Sequence, residues 1–276
     1  MSIFEEPKVD CHNHILDPLR FSYADDVSYR PSGQEVGTLA QHRSTMNAYG
    51  VRHALVVGPN SGYGTDNSCL LNALASSDGR YKGIAVVSNN IGYDELLLLK
   101  ASGIVGIAFN LTIYGQAHYG DCESLLRLLA DLDLFVQVQA EHDQIVGLVP
   151  MLLRSGVRIL IDHCGRPTPN LGLHQAGFQS VLELGRSGRA AVKLSGYQKF
   201  SAKSMPYDDA LPFVTALMDT FTLDGCLWAS DWPYLKATER LDYGPLLKHI
   251  ESWLPDASDR RRLLWDTPCR LFGFGG

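Results

Sequence analysis

Short apolar runs rich in β-branched residues recur along the chain, and the segments between them carry apolar residues at helical spacing. The runs are apolar through their middles, as is typical of parallel strands that are buried on both faces. They predict strands at residues 8–14, 53–59, 81–88, 103–110, 134–141, 158–165, 190–197 and 226–233.

The segments between the strands predict helices. Several of them stop at a glycine, which ends a helix without steric cost, as at Gly50, Gly156 and Gly188. Asp66 is a predicted N-cap. The predicted helices cover residues 39–49, 70–75, 94–101, 124–129, 144–155, 175–186, 206–220 and 243–253.

Strands that alternate with helices over 276 residues predict an α/β protein with the (β/α)8 TIM barrel fold, whose usual length is about 250 residues. A doubly wound open sheet is the alternative, but no Gly-x-Gly-x-x-Gly follows the first strand and no Walker A loop is present. Since we find no linker or repeat, we expect one barrel domain over residues 1–276. The long connection at residues 15–37, with Tyr23 and Tyr29, is predicted to form a pocket wall or lid.

The composition of the chain argues against nucleic acids and membranes as binding partners. Hydrophobic residues make up 45% and charged residues 20%, the net charge is -6 and the pI is about 5.8. An acidic chain without a basic stripe is a poor nucleic-acid binder and offers no polybasic patch to a membrane. No apolar run is long enough for a transmembrane helix, and residues 1–7 do not resemble a signal peptide. The 6 scattered cysteines indicate reduced thiols in a cytoplasmic protein.

The first predicted strand ends in His12 and His14. Alternate residues of a strand share a face, so both imidazoles point the same way from Cα atoms about 6.6 Å apart. Asp10 lies on the same face, further from the end of the strand. The motif predicts a metal or catalytic centre, with a pair of surface histidines as the alternative.

Two later strands also end in polar residues, His163 in the sixth and Asp231 in the eighth. Alone, the first could be a core histidine and the second a helix N-cap. In a barrel the C-terminal ends of the strands lie on one rim, so we expect both residues to converge with His12 and His14.

The order His-x-His, Asp-His-x-Gly-x-Pro and Ser-Asp-Trp-Pro resembles the amidohydrolase superfamily, which has a metal-dependent-hydrolase-like barrel. Within it, the chain resembles the amidohydrolase-related branch that includes 2-pyrone-4,6-dicarboxylate lactonase and sugar lactonases. The resemblance covers the whole chain. Further similar segments are residues 64–67, 109–110, 193–196 and 266–273, the last with Asp266-Thr267 where the branch has Asn.

The resemblance implies a hydrolase that opens a small carboxylated lactone of aromatic catabolism. Asp231 would be the general base that takes a proton from water. His12, His14 and His163 would polarise the carbonyl oxygen or, together with Asp231, bind a divalent ion such as Zn²⁺ or Mn²⁺.

This chain differs from the metal-binding members of the superfamily at two positions that bear on how many metal ions it binds. Superfamily members with two metals carry a bridging lysine or glutamate at the end of the fourth strand, where this chain has residues 108–110, Ala-Phe-Asn. The fifth strand lacks the histidine of metal-dependent members, although His142 lies just beyond it. We therefore expect one metal ion or none, and favour imidazoles that act directly on the carbonyl.

Polar residues near the strand ends are predicted to bind the substrate: Asn60, Ser61, Thr65, Asn110, Tyr114, Arg166 and Lys199. The pyrone dicarboxylate lactonases place an arginine where this chain has Ala108, which cannot make a bidentate contact with a carboxylate. Arg20, Arg166, Lys199 and Lys203 are candidates to replace it.

Other interpretations stay open. Relatives with a similar barrel include decarboxylases and hydratases, and a barrel that binds a ligand or metal without catalysis is a third possibility. Lys193, within the apolar seventh strand, is predicted to pair with a carboxylate or to reach the surface along its stem.

Overall fold

The computed structural model describes residues 2–27 and 29–275. Every predicted strand is present and alternates with helices along the chain. The strands are β1 (Lys8–Asn13), β2 (Val51–Val57), β3 (Tyr81–Ala85), β4 (Ile104–Asn110), β5 (Phe135–Gln139), β6 (Arg158–Ile161), β7 (Ala190–Leu194) and β8 (Cys226–Trp228).

The α-helices of the described residues include several that are shorter than two turns. They are α1 (Leu39–Ala48), α2 (Asn60–Tyr63), α3 (Ser68–Ala75), α4 (Tyr93–Ala101), α5 (Leu111–Tyr114), α6 (Glu123–Asp131), α7 (Val149–Ser155), α8 (Ala176–Arg186), α9 (Leu211–Phe221), α10 (Tyr243–Trp253), α11 (Ala257–Arg261) and α12 (Thr267–Phe272). None of the described helices combines the length and the apolar character needed to cross a membrane.

The predicted strands extend too far at their C-terminal ends, with the exception of β4. The clearest cases are β6 and β8, where His163 (φ 50°) and Asp231 (φ 64°) adopt left-handed backbone conformations. A left-handed residue cannot continue a β-ladder, so the polar residues at these ends lie in turns that follow the strands.

Two helix predictions were wrong at their starts. The helix expected over 144–155 begins as a 3₁₀ turn at Val146–Leu148 and becomes α-helical only in α7. The helix expected over 206–220 begins at Leu211. The expected N-cap Asp66 lies one position early, since Asn67 is the N-cap of α3, although Asp66 Oδ1 accepts a hydrogen bond from the Ser68 N–H at 2.9 Å.

The described residues divide into two compact units. The first unit comprises those of Met1–Val86, Ala101–Ile104 and Trp228–Gly276. In it β1 pairs in parallel with β2, and β2 with β3. On its other side β1 meets the segment after β8, through a parallel bridge between Asn13 and Trp232. All six residues of β1 are buried.

The second unit comprises Val87–Lys100 and Val105–Leu227. Within it β4, β5, β6 and β7 pair in parallel in that order. Helices α6 and α8 each turn an apolar face inward, and buried residues include Leu126, Leu129 and Phe178. The expectation of a single domain over the whole chain stays a prediction.

The connection from β1 to α1 belongs to the first unit and contains a 3₁₀ turn at Gly33–Glu35. The Glu35 carboxylate accepts hydrogen bonds from the Tyr29 hydroxyl and from the Lys236 N–H, the latter at 2.6 Å. This contact joins the loop after β1 to the loop after β8. Its role as a pocket wall or lid stays a prediction.

Candidate active site

Three of the predicted site residues lie together in the first unit. His12 Nε2 and His14 Nε2 are 3.3 Å apart, and each lies 3.8 Å from Asp231 Oδ1. The three residues are buried, with relative exposures of 1%, 8% and 1%. Backbone pairing fixes the arrangement, because the Asp231 N–H donates to His12 O and the His14 N–H donates to Trp232 O, both at 2.8 Å.

The tautomer of His14 follows from its second ring nitrogen. Nδ1 lies 2.8 Å from the carbonyl oxygen of Val57, which can only accept, so Nδ1 carries the proton. In the neutral ring, Nε2 then presents a lone pair towards His12 and Asp231. The Nε2 lone pair and the Asp231 carboxylate oxygen are both acceptors. The space between them therefore suits a metal cation or a hydrogen-bond donor such as water.

The donor set fits one divalent ion. A point equidistant from the two Nε2 atoms and Asp231 Oδ1 lies about 2.1 Å from each, which matches zinc–nitrogen and zinc–oxygen bond lengths. The contact from His14 to Val57 is of the kind that orients metal-binding histidines. These residues are therefore candidate ligands.

A buried carboxylate lies directly behind this cluster. Asp10 is fully buried and accepts hydrogen bonds from the Ser230 N–H (3.0 Å), the Ser230 hydroxyl (2.5 Å), the Tyr243 hydroxyl (3.0 Å) and the His12 N–H (3.3 Å). Burial raises the pKa of Asp10, and the bonds from Ser230, His12 and Tyr243 oppose that shift. The sequence placed Asp10 on the correct face but gave no signal for Tyr243, which is 233 positions away.

On the opposite face of β1, Asn13 contacts a buried histidine. Asn13 Oδ1 lies 2.8 Å from His42 Nε2, and His42 Nδ1 lies 3.0 Å from the Tyr81 hydroxyl. The amide oxygen can only accept, so His42 Nε2 donates and Nδ1 accepts. Burial lowers the pKa of His42 to about 3, which keeps the ring neutral.

Three predicted substrate-binding residues of the first unit follow β2. Asn60 and Ser61 open helix α2, and Thr65 is exposed after it. Among the residues that the structure describes, the buried Asn60 Oδ1 atom has no hydrogen-bond partner. An amide oxygen in this state is suited to accept a hydrogen bond from a ligand or water.

In the second unit, His163 lies in a turn just after β6. It is 1% exposed, and its Nδ1 is 3.2 Å from the Ser195 hydroxyl. Gly196 adopts a φ of +67°, and a Cβ atom there would come within 2.5 Å of the His163 ring. The glycine is therefore needed both for the turn and for the space that the imidazole occupies.

The buried lysine of β7 is paired with a carboxylate, which is the first of the two predicted alternatives. Lys193 Nζ lies 2.9 Å from Asp162 Oδ1 and donates to Gln137 Oε1 at 2.6 Å. The Gln137 amide in turn donates to Asp162 Oδ2 at 2.8 Å. All three side chains are buried, so the ion pair is satisfied by hydrogen bonds on both sides.

The other predicted substrate-binding residues of the second unit have contacts of their own. Asn110 Oδ1 caps helix α5 by accepting from the Ile113 N–H at 3.2 Å. Tyr114 is 43% exposed and stacks on His118. Arg166 Nη2 forms a 2.8 Å ion pair with Glu141. Lys199 ends a 3₁₀ turn after β7. Their substrate-binding roles stay predictions.

Known proteins resemble the chain along most of its length. The 4-sulfomuconolactone hydrolase of Rhizobium radiobacter is 31% identical over 271 residues, which cover 96% of this chain and 89% of the relative. A solved structure, a probable 2-pyrone-4,6-dicarboxylic acid hydrolase from Acinetobacter baumannii with citric acid bound, is 28% identical, with a TM-score of 0.88 over 97% of this chain and 99% of that one. This likeness confirms the predicted (β/α)8 barrel.

A third match is to an amidohydrolase from Burkholderia multivorans with bound zinc, at a TM-score of 0.76 and 17% identity over 97% of this chain and 99% of that chain, which supports the fold alone. The amidohydrolase family profile matches residues 9–274, nearly the whole chain. The resemblance that the histidine and aspartate motifs predicted is thus confirmed, and the chain belongs to the amidohydrolase family.

Proposed function

We propose that this amidohydrolase opens a small carboxylated lactone by hydrolysis. The observation that carries the proposal is the buried triangle of His12 Nε2, His14 Nε2 and Asp231 Oδ1. Support comes from the relative named a 4-sulfomuconolactone hydrolase and the neighbour named a probable 2-pyrone-4,6-dicarboxylic acid hydrolase.

In the proposed reaction Asp231 is the general base. Its Oδ1 lies 3.8 Å from the Nε2 atom of each imidazole, and as a carboxylate oxygen it would accept a proton from a water molecule bound beside them. The water oxygen bonds to the lactone carbonyl carbon as the proton passes to Asp231. The ring C–O bond then breaks, and Asp231 returns the proton to the departing oxygen.

The imidazoles of His12, His14 and His163 are proposed to stabilise the negative charge that develops on the carbonyl oxygen. His14 would do so as the imidazolium, because its Nε2 atom donates a hydrogen bond only when that nitrogen carries a proton. Burial strengthens this interaction, because the local dielectric constant is lower than that of water. We include His163 because it follows β6, and strand ends in a (β/α)8 barrel carry the catalytic residues.

A divalent ion is compatible with the same residues. His12, His14 and Asp231 would hold it. We keep His163 as a proposed further ligand because it follows β6, at a strand end. When bound, such an ion supplies Lewis-acid polarisation and lowers the pKa of water to about 7. We nevertheless propose that the imidazoles act without an obligatory metal, since this sequence lacks the fifth-strand histidine and the fourth-strand bridging residue.

Substrate binding is proposed to use the residues that follow the strands. Asn60 offers a buried acceptor, and Lys199 offers positive charge for a carboxylate. Arg166 would offer positive charge by exchanging its ion pair with Glu141 for one with the substrate. The chain has Ala108 in β4 where pyrone dicarboxylate lactonases have arginine, so a monocarboxylated lactone is as compatible as a dicarboxylated one.

A panel of carboxylated lactones tests the function. Ring opening releases a carboxylic acid, so we expect base consumption in a pH-stat without release of CO₂. A panel of aromatic-catabolism acids serves as the contrast. CO₂ release from that panel, with no base consumption from any lactone, would replace the proposal with a decarboxylase.

Metal dependence is measured separately. Purified protein is expected to contain far less than one equivalent of metal, and a chelator is expected to leave the rate unchanged. Tightly bound stoichiometric Zn²⁺ or Mn²⁺ whose removal abolishes activity would contradict this expectation and would make His12, His14 and Asp231 ligands.

A further inference from the structure

The buried carboxylate of Asp10 has no role in the reaction proposed above, yet it lies directly behind the reacting groups. Its relative exposure is 0%, and its partners come from three separate parts of the first unit. They are β1 itself (the His12 N–H), the segment after β8 (Ser230) and helix α10 (Tyr243).

All the described hydrogen-bond partners of Asp10 are neutral donors. A fully buried carboxylate with this environment is costly to place, because burial penalises the charged form and only hydrogen bonds offset the penalty. If position 10 only had to fill space in the core, an apolar side chain would be more stable there. The free-energy cost of burying this carboxylate thus falls at the junction between β1 and residues 230–232.

The same junction holds the backbone pairs that set the catalytic geometry. The Asp231 N–H donates to His12 O, and Ser230, whose N–H and hydroxyl both bind Asp10, is the preceding residue. The Ser230 hydroxyl also accepts from the Trp232 N–H at 3.0 Å. The carboxylate therefore constrains the backbone on both sides of Asp231, which has a φ of 64°.

We propose that Asp10 is a positioning residue that clamps the Ser230–Trp232 segment to β1 and so holds Asp231 at its distance from His12 and His14. This inference rests on the proposed function in one respect, namely that Asp231 is the catalytic base. Asp10 touches no reacting atom itself. Without the clamp, Asp231 is free to leave the left-handed conformation, and the general base moves away from the imidazoles.

The test compares Asp10→Asn and Ser230→Ala with a control, Ser77→Ala. Ser77 is also buried in the first unit, where its hydroxyl donates to Leu74 O and accepts from the Tyr81 N–H, away from the clamp. All variants are first compared by thermal melting. The control reports what the loss of a buried hydrogen bond does to the molecule in general.

One readout needs no substrate. Hydrogen exchange of the His14 and Asp231 amides is expected to accelerate in Asp10→Asn and Ser230→Ala and to remain at the wild-type rate in Ser77→Ala. Exchange that matches the control overturns the clamp, whatever the enzyme hydrolyses. If Asp10→Asn does not fold, Ser230→Ala and Tyr243→Phe decide by the same measurement.

The second readout uses the lactone that the panel identifies. We expect kcat to fall about tenfold or more in Asp10→Asn with KM nearly unchanged, because the substrate still binds but the base is misplaced. Ser77→Ala should retain its kcat. A kcat within about twofold of wild type, or a loss that follows melting temperature across all variants, would overturn the proposal.

Discussion

At the scale of the residue, Asp231 is the group on which the proposed reaction depends. Asp231→Asn keeps the side-chain volume and the backbone pair with His12, but an amide cannot accept the proton from water. We expect kcat to fall by about 10² or more with an unchanged circular dichroism melt. Steady-state kinetics on the identified lactone measure this.

The control for that variant is Asp78→Asn. Asp78 is exposed and also adopts a left-handed backbone conformation, with a φ of 51°. Asp78→Asn therefore reports how an Asp-to-Asn change at such a position affects the backbone, at a residue outside the candidate site. It should keep full turnover. Near wild-type turnover by Asp231→Asn would remove Asp231 from the role of base.

At this scale the sequence predicted which residues lie at the strand ends, but it did not predict their long-range contacts. His12, His14 and Asp231 were predictable as neighbours because they lie at the ends of apolar runs in the sequence, a local pattern that needs no knowledge of contacts. The partners of Asp10 were not predictable, since Tyr243 lies in an ordinary amphipathic helix. A hydrogen bond between residues 233 positions apart leaves no mark on either local pattern.

At the scale of the element, the turn after β7 is expected to support His163. Gly196→Ala forces a Cβ into the His163 ring at a positive φ. We expect a loss of stability of about 1 kcal/mol or more from the backbone and a fall in kcat of about tenfold from the displaced imidazole. Urea unfolding and kinetics separate the two effects.

Gly188→Ala is the matched control, because Gly188 has a φ of +72° and nothing within 4 Å of the added Cβ. It should lose only the part of the stability that comes from the positive φ, and it should keep its kcat. Equal losses of activity in both variants would mean that His163 does not require the turn.

The elements show why strand ends were harder to predict than strand middles. Periodicity located β1 to β8 because burial on both faces leaves a continuous apolar run. At His163 and Asp231 the backbone turns left-handed for reasons of tertiary contact, and side-chain pattern carries no information on φ. Short helices such as α5, α11 and α12 were missed because they are too brief to establish helical spacing.

At the scale of the whole molecule, stability should depend on pH through His42. Burial lowers its pKa to about 3, whereas an imidazole in the unfolded chain titrates near 6.5. Below about pH 6.5 the unfolded state binds a proton that the native state excludes. The free energy of unfolding should therefore fall by about 1.4 kcal/mol per pH unit as the pH drops further, and this loss should be absent above that pH.

Urea unfolding at about pH 7.5 and about pH 5 tests this dependence. The difference between the two pH values should be smaller in His42→Gln than in the wild type, and unchanged in His174→Gln, whose side chain is exposed. A His42→Gln variant that loses as much stability on acidification as the wild type would rule out His42 as the source.

The pairing of β1 with the segment after β8 has a consequence for how the protein is made. Ser230 and Asp10 are 220 positions apart, so the contact that completes the site is among the least local in the chain. Contacts of such high sequence separation form late and slow folding. During synthesis β1 therefore leaves the ribosome before the other seven strands, and its partner Ser230 lies 220 positions further along the chain. A nascent chain contains both histidines once β1 has emerged, and it acquires the proposed base, Asp231, only after the eighth strand has emerged.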